Sequence, residues 1–244
     1  MGQGDPAGGH QSAMKTIRIL SGGAAQGLVE ALQPSFEAST GCRIDGVFGA
    51  VGAMKARLLT AEPVDILILS RAMIDGLARD GHVVAQSAKD IGAVQTAVAV
   101  RSGDPLPAVG SAAELRAALL AADAIHFPDP EQSTAGIHFA KVLRDLGIRD
   151  AIAPRLRSAA NGATAMRALA ASKSRLPLGC TQVTEIIATP GIVLAAPLPP
   201  GCDLATVYSG AIAAKAGAPV EAAKFMAMLS GDPGRDSRRQ LGFV

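Results

Sequence analysis

Two short stretches place hydroxyls and glycines where a strand gives way to a helix. The first is Ser21-Gly22-Gly23, which follows the apolar run at 17–20 and precedes a helical pattern carrying Leu28, Val29, Leu32 and Phe36. The second is Ser133-Thr134-Ala135-Gly136; a further helix opens at Asn161-Gly162-Ala163-Thr164. The first N–H groups of a helix have no internal partner and carry partial positive charge, so such junctions bind anions. Glycine lets a ligand approach the backbone, and a hydroxyl adds a donor. The same residue types are also ordinary helix caps, so both roles stay open. Arg167 stands one turn into the helix opened by Asn161. It is either a surface cation or a two-pronged clamp for a carboxylate. His138, early in the helix after Thr134, is the histidine placed to move a proton in a cleft.

Strands and helices alternate around these stretches. Residues 42–48 read as a second strand, 53–59 as a helix broken by Glu62-Pro63, and 64–69 as a buried parallel strand interrupted only by Asp65. Ser70 is placed to cap a helix over 71–79. Further strands are expected at 96–100, 124–127, 192–195 and 206–214, a strand turning into a short helix over 178–186, and further helices after Ser111 and at 137–146 and 219–229. Ser111 with Glu114 has the capping-box spacing. Repeated strand–helix units of this kind predict an α/β fold with a mainly parallel sheet.

Composition excludes several classes. The 244 residues are 49% hydrophobic, enough for a large core, and no apolar run approaches the roughly 20 residues of a membrane span. There is no Trp and a single tyrosine, Tyr208, so stacking on bases is not expected. A net charge of +2 is spread along the chain, and Arg235 to Arg239, the densest basic patch, reads as a solvated tail. Nucleic acid and membrane insertion are therefore not expected. Cys42, Cys180 and Cys202 lack metal-site spacing and read as buried thiols, although one disulfide is possible. No metal and no cofactor is expected: there is no Walker lysine, no GxGxxG and no Gly-x-Ser-x-Gly.

Residues 1–13 are rich in Gly and polar residues and read as a disordered tail or an expression tag. Met14 stands directly before the first strand. As the sequence stands the protein is expected in the cytoplasm; if a signal upstream of Met14 was removed, it is expected in the periplasm.

The order of these parts resembles the periplasmic molybdate-binding proteins. The residues that carry the resemblance are Ser21-Gly22-Gly23-Ala24-Ala25, Phe48-Gly49-Ala50-Val51-Gly52, Pro63-Val64-Asp65 with its strand, and Asp129-Pro130 followed by Thr134-Ala135-Gly136. The resemblance implies a type II periplasmic binding-protein fold. Each of its two lobes is a mainly parallel sheet flanked by helices, and hinge strands join them. Lobe one would comprise 14–95 plus 196–244, and lobe two 96–195. It also implies a small anion held in the cleft, a monomer, closure about the hinge, and an ABC permease as partner. By family position, Ala50 and Val51 would offer backbone N–H groups, and Thr181 and Gln182 would contact the ligand. The departures matter. Serines are usual where Ala50 and Val51 stand, and a tyrosine is usual near Gly179-Cys180-Thr181-Gln182. The lost hydroxyls leave room for an organic carboxylate. Relatives of this family include aconitate isomerases, so the alternative is an isomerase of an unsaturated di- or tricarboxylate, with His138 or Glu185 as the base.

Overall fold

The computed structural model describes residues 15–244. Strand β1 (Thr16–Gly22) passes through one 3-10 turn (Gly23–Ala25) into helix α1 (Gln26–Thr40). Then come β2 (Arg43–Gly49), α2 (Val51–Leu59), β3 (Ile66–Ser70) and α3 (Arg71–Arg79). The long strand β4 (Lys89–Arg101) leads to α4 (Ala112–Ala121), β5 (Ala124–Pro128), α5 (Thr134–Asp145) and the short α6 (Arg149–Ile152). The chain continues through β6 (Leu156–Ala159), α7 (Gly162–Ala170), β7 (Pro177–Gln182), α8 (Val183–Ile187) and β8 (Ile192–Pro197). It closes with β9 (Ala205–Ile212), α9 (Pro219–Ser230) and α10 (Arg235–Gln240). The expectation of a loose segment at 1–13 falls outside the described residues.

The strands run in the order β2-β1-β3-β9-β4-β7-β5-β6, with β8 also beside β4. Parallel pairs (β1 with β2 and β3; β5 with β6 and β7) lie towards the two ends, and antiparallel pairs join them in the middle. The join is β4. Up to Gln95 it pairs with β9; from Thr96 onward it pairs with β7 and β8. One extended strand thus belongs to two half-sheets, and the core falls into two buried clusters, the first of which also takes in Ala165, Met166, Leu169, Val183 and Ile186 from α7 and α8. Leu28, Ile66 and Phe225 lie in the first cluster, and Leu115, Ile125 and Phe139 in the second. Aromatic pairs sit in each: Phe36 with Phe225 at 4.9 Å, and Phe127 with Phe139 at 5.5 Å.

Two local devices explain the sequence patterns. Buried Asp65 accepts from the Arg18 N–H (2.8 Å) and the Ala218 N–H (2.9 Å), which ties β1 and the start of α9 to β3. In the Asp129…Gly136 element, the Asp129 carboxylate accepts from the Glu131 and Gln132 N–H groups. A Cβ at Gly136 would overlap the Asp129 carbonyl, so only glycine lets α5 pack that closely on the loop. Ser111 caps α4 through the Glu114 N–H at 3.2 Å, as its spacing predicts.

The basic C-terminal stretch is not a solvated tail. It forms α10, and Arg238 donates to the carbonyls of Leu229 (2.6 Å) and Gly231 (2.9 Å). A cation placed on the open carbonyls at the end of α9 is favoured by both hydrogen bonding and the helix dipole. Phe243 is buried, and Val244 exchanges two backbone hydrogen bonds with Ala93 of β4. The chain end is thus fastened to the strand shared by the half-sheets. Other departures are β6 and α6, which the sequence pattern does not announce, and the length of β4, which begins seven residues before the expected 96. The first part of β4 carries Gly92 and a register shift against β9 between Asp90 and Gly92, which hides the strand pattern.

Candidate functional site

Four helix starts converge where the half-sheets meet. They surround a cavity that, closed as it stands here, has room for little more than one water molecule and is lined by Gly23, Ala24, Gly49, Ala50, Val51, Ser133, Thr134, Asn161, Gly162, Gln182, Glu185 and Tyr208. Larger hollows exist; one is walled chiefly by apolar groups such as Leu106, Pro107 and Leu176. The smaller cavity is the better site, because backbone donors from separate elements point into one space.

The helix starts are unequal. Neither Ala50 nor Ser133 makes a side-chain cap for α2 or α5, whereas the Asn161 carboxamide accepts from the Thr164 N–H of α7 at 2.9 Å. The first N–H groups of α2 and α5 therefore lack a side-chain acceptor. The halves touch directly here: the Gly52 N–H of α2 donates to the Gln132 carbonyl at 3.0 Å. A Cβ at Gly52 would press on Gln132, which is why glycine stands at this contact.

Glu185 is the singular group. It is 6% exposed and accepts from the Thr181 hydroxyl at 2.5 Å. Burial pushes its carboxyl above the ordinary glutamate range. The Thr181 hydroxyl and the backbone N–H groups of Gln182, Ala163 and Gly162 act against that rise. The carboxyl is wedged between two glycines: a Cβ at either Gly23 or Gly162 would overlap it. It also walls a second, outer hollow, lined by Gln26, Glu30, Arg167 and Thr189 among others.

Opposite Glu185 stands Tyr208 of β9, 3% exposed. Burial, and then the Glu185 charge, raise its hydroxyl pKa, so the phenol remains a neutral donor. The polar groups of Thr134 and Gln182 beside it act against that rise. The Gln182 amide nitrogen faces the carbonyls of Val94 (3.2 Å) and Gln95 (3.3 Å), which leaves its oxygen as an acceptor. Gly22 makes room for the ring, since a Cβ there would lie 3.1 Å from Tyr208 Cε1.

The expected site residues fall into three groups. Gly23, Ala50, Val51, Ser133, Thr134, Gln182 and Glu185 line the cavity. Ser21, Gly22 and Thr181 lie behind that wall. The buried Ser21 hydroxyl turns to the Gly22 carbonyl at 2.9 Å, so it is not offered to a ligand, and Thr181 acts on Glu185. Arg167 is exposed, donates to Thr164 Oγ1 at 3.0 Å and faces only the outer hollow. His138 is not brought to the cavity: its ring Nε2 is paired at 2.8 Å with the Cys202 carbonyl on the flank of the second half. Sequence reading did not single out Tyr208, Asn161 or Gly162 as lining residues. For Tyr208 the available signal was its solitude, a lone tyrosine in an apolar strand followed by Ser209-Gly210. Among the described residues no group of three His, Cys, Asp or Glu is placed to hold a metal. No helix there is long and apolar enough to cross a membrane.

Two half-sheets meeting over a small cavity ringed by helix starts define a solute-binding protein. A family model described as bacterial extracellular solute-binding protein matches residues 17–244, and the chain belongs to that family. An aconitate isomerase from Pseudomonas sp is 27% identical over 221 residues, covering 86% of this chain and 79% of its own length. The periplasmic molybdate-binding protein of Azotobacter vinelandii superposes with a TM-score of 0.78 at 17% identity, over 93% of this chain and 98% of that one. The sulfate-binding protein of Mycobacterium tuberculosis gives 0.75 at 17% identity, over 94% and 86%. The fold is thus the two-lobed periplasmic binding-protein fold that the sequence resemblance implied.

Proposed function

We propose that the protein binds a small organic carboxylate in this cavity and closes over it. The moving parts would be residues 14–95 plus 196–244 and residues 96–195, turning about β4 where its partners change. The observation that carries the reading is the convergence of four helix starts on one cavity with no basic side chain in its wall. Backbone N–H groups and the Thr134 and Tyr208 hydroxyls would meet the ligand charge, with Ser133 in reserve. Two features favour an organic acid over a compact tetrahedral oxyanion. Ala50 and Val51 bring no hydroxyls, and Glu185 sets a carboxyl against the ligand, which a dense dianion tolerates poorly. The relative named for action on aconitate points to the same ligand class. As a member of an extracellular solute-binding family, the protein would work outside the cytoplasm, as a monomer, and hand its ligand to an ABC permease.

A second reading is favoured by one observation, the buried Glu185 facing Tyr208 across a closed space. It is the isomerisation of an unsaturated di- or tricarboxylate. Ionised Glu185 would take a proton from the carbon next to the double bond. The electron pair would spread through the alkene into the adjacent carboxylate, where helix N–H groups and Tyr208 hold it. Return of the same proton to the far carbon would shift the double bond with no net change in atoms. His138 takes no part in this scheme.

The experiment is a thermal-shift panel of aconitate, citrate, sulfate and molybdate, followed by NMR of any stabilising acid. A ligand at a hundredfold excess over Kd adds about 2.7 kcal/mol of stability. Stabilisation by aconitate or citrate is expected. A shift with molybdate or sulfate alone would overturn the carboxylate reading, and new resonances in the NMR spectrum would select the isomerase.

A further inference from the structure

The carboxyl of Glu185 already occupies part of the anion niche. It lies against the start of α7 at Gly162 and under the first turn after β1 at Gly23, and it walls the same cavity that the helix starts surround. None of the residues lining that cavity carries a positive charge. The charged and titratable groups that face Glu185 are few. Tyr208 on β9 stands across the cavity. Arg167 on α7 and Glu30 on α1, both exposed, flank the outer hollow. Arg167 is engaged by Thr164, and its opposite sign is balanced at the same rim by Glu30. Thr181 and Gln182 on β7 and Asn161 before α7 are neutral. At a pH where free Glu185 is ionised, an anion entering this space as the halves open therefore becomes the second negative charge in a narrow cavity that has no cation in its wall. Two like charges held that closely cannot both stay ionised without a large cost, and the least costly relief is one shared proton.

We propose that the cavity takes its anion together with one proton, held on Glu185 or between Glu185 and the ligand, so that the bound species is the ligand plus H⁺. This rests on the carboxylate reading of the site and deepens it. The favoured ligand is an organic acid that can share a proton with a carboxyl, not a dianion that must remain fully ionised. Burial, which already favours the protonated carboxyl in the free protein, acts in the same direction. Solvent reaches the other side of Glu185 through the outer hollow, which supplies a route for the proton that avoids the ligand.

Calorimetry with trans-aconitate in buffers of different ionisation enthalpy reads the proton count. Above the pH at which free Glu185 ionises, located by the carboxyl titration below, wild-type protein should take up close to one proton per aconitate bound, and its affinity should fall by up to tenfold per pH unit. Glu185→Gln should bind aconitate with no uptake and a flat pH profile. Binding without uptake by the wild type above that pH, or equal uptake by Glu185→Gln, would overturn the inference. A ligand-free measurement judges it separately, by titrating the Glu185 side-chain carboxyl with carbon-13 NMR in the wild-type protein. Titration above the ordinary glutamate value of about 4.3 is expected; titration at or below it overturns the inference whatever binds. If no tested acid binds, the carboxylate reading fails and the NMR titration still decides this one. If Glu185→Gln does not fold, the wild-type buffer series and the carboxyl titration suffice.

Discussion

Two buried carboxylates, Asp65 and Glu185, are treated very differently by this fold. Each lies near a helix start, Asp65 at α9 and Glu185 at α7. Asp65 is enclosed within the first half-sheet region, and both its oxygens accept from backbone N–H groups at normal distances. It lines none of the hollows described above. Glu185 is just as buried but sits at the boundary, where its carboxyl walls one hollow on the ligand side and another on the rim side. A buried charge whose hydrogen bonds are completed inside one unit stabilises that unit. A buried charge left at a junction between units is available to a ligand. The contrast separates a residue of the fold from a residue of the candidate site, although both are buried acids near a helix start.

Substitution tests this contrast, and the largest effect should come from Asp65. Asp65→Ala strands two buried backbone donors and should cost on the order of 3 kcal/mol in a denaturant melt. The protein that remains folded should bind as the wild type does, and a selective loss of affinity would erase the distinction. Glu185→Gln should behave in the opposite way. The folded state holds the Glu185 proton more tightly than the unfolded chain does. Wild-type stability therefore falls as pH rises from the ordinary glutamate range through the raised folded value. The variant should lose that slope, which thermal melts between about pH 5 and pH 8 would reveal. Tyr208→Phe removes one hydroxyl from the cavity and should weaken aconitate about five- to tenfold, near 1 kcal/mol, with little change in melting temperature. His138→Ala should be the smallest of the four. It loses one hydrogen bond to the Cys202 carbonyl, worth about 1 kcal/mol of stability, and should leave affinity untouched. A large loss of binding in that variant would return His138 to the site.

Most of the strand and helix order was legible because periodicity and breakers are local. Pro63, Ser70 and the Ser111–Glu114 pair announce their elements within a few residues. The helix starts at Ala50, Ser133 and Asn161 were legible for the same reason. Tyr208 was not, because its role depends on β9 lying beside β4 more than a hundred residues away in sequence. His138 was misread because one turn of helical phase decides whether a side chain meets the cleft or the flank. Arg167 shows the same sensitivity: it lies on the helix that begins at the cavity but emerges on the outer side. The basic C-terminal stretch was misread because its partners, the open carbonyls ending α9, are invisible as residue types.

Under the proposed function an organic carboxylate seats in the cavity beside Tyr208. The chain has one tyrosine and no tryptophan, so its intrinsic fluorescence comes from that cavity wall. The direct measurement is a titration of this emission with aconitate, and in parallel with molybdate. A saturable change with aconitate and none with molybdate is expected. A saturable change with molybdate and a flat response to aconitate would contradict the proposed function.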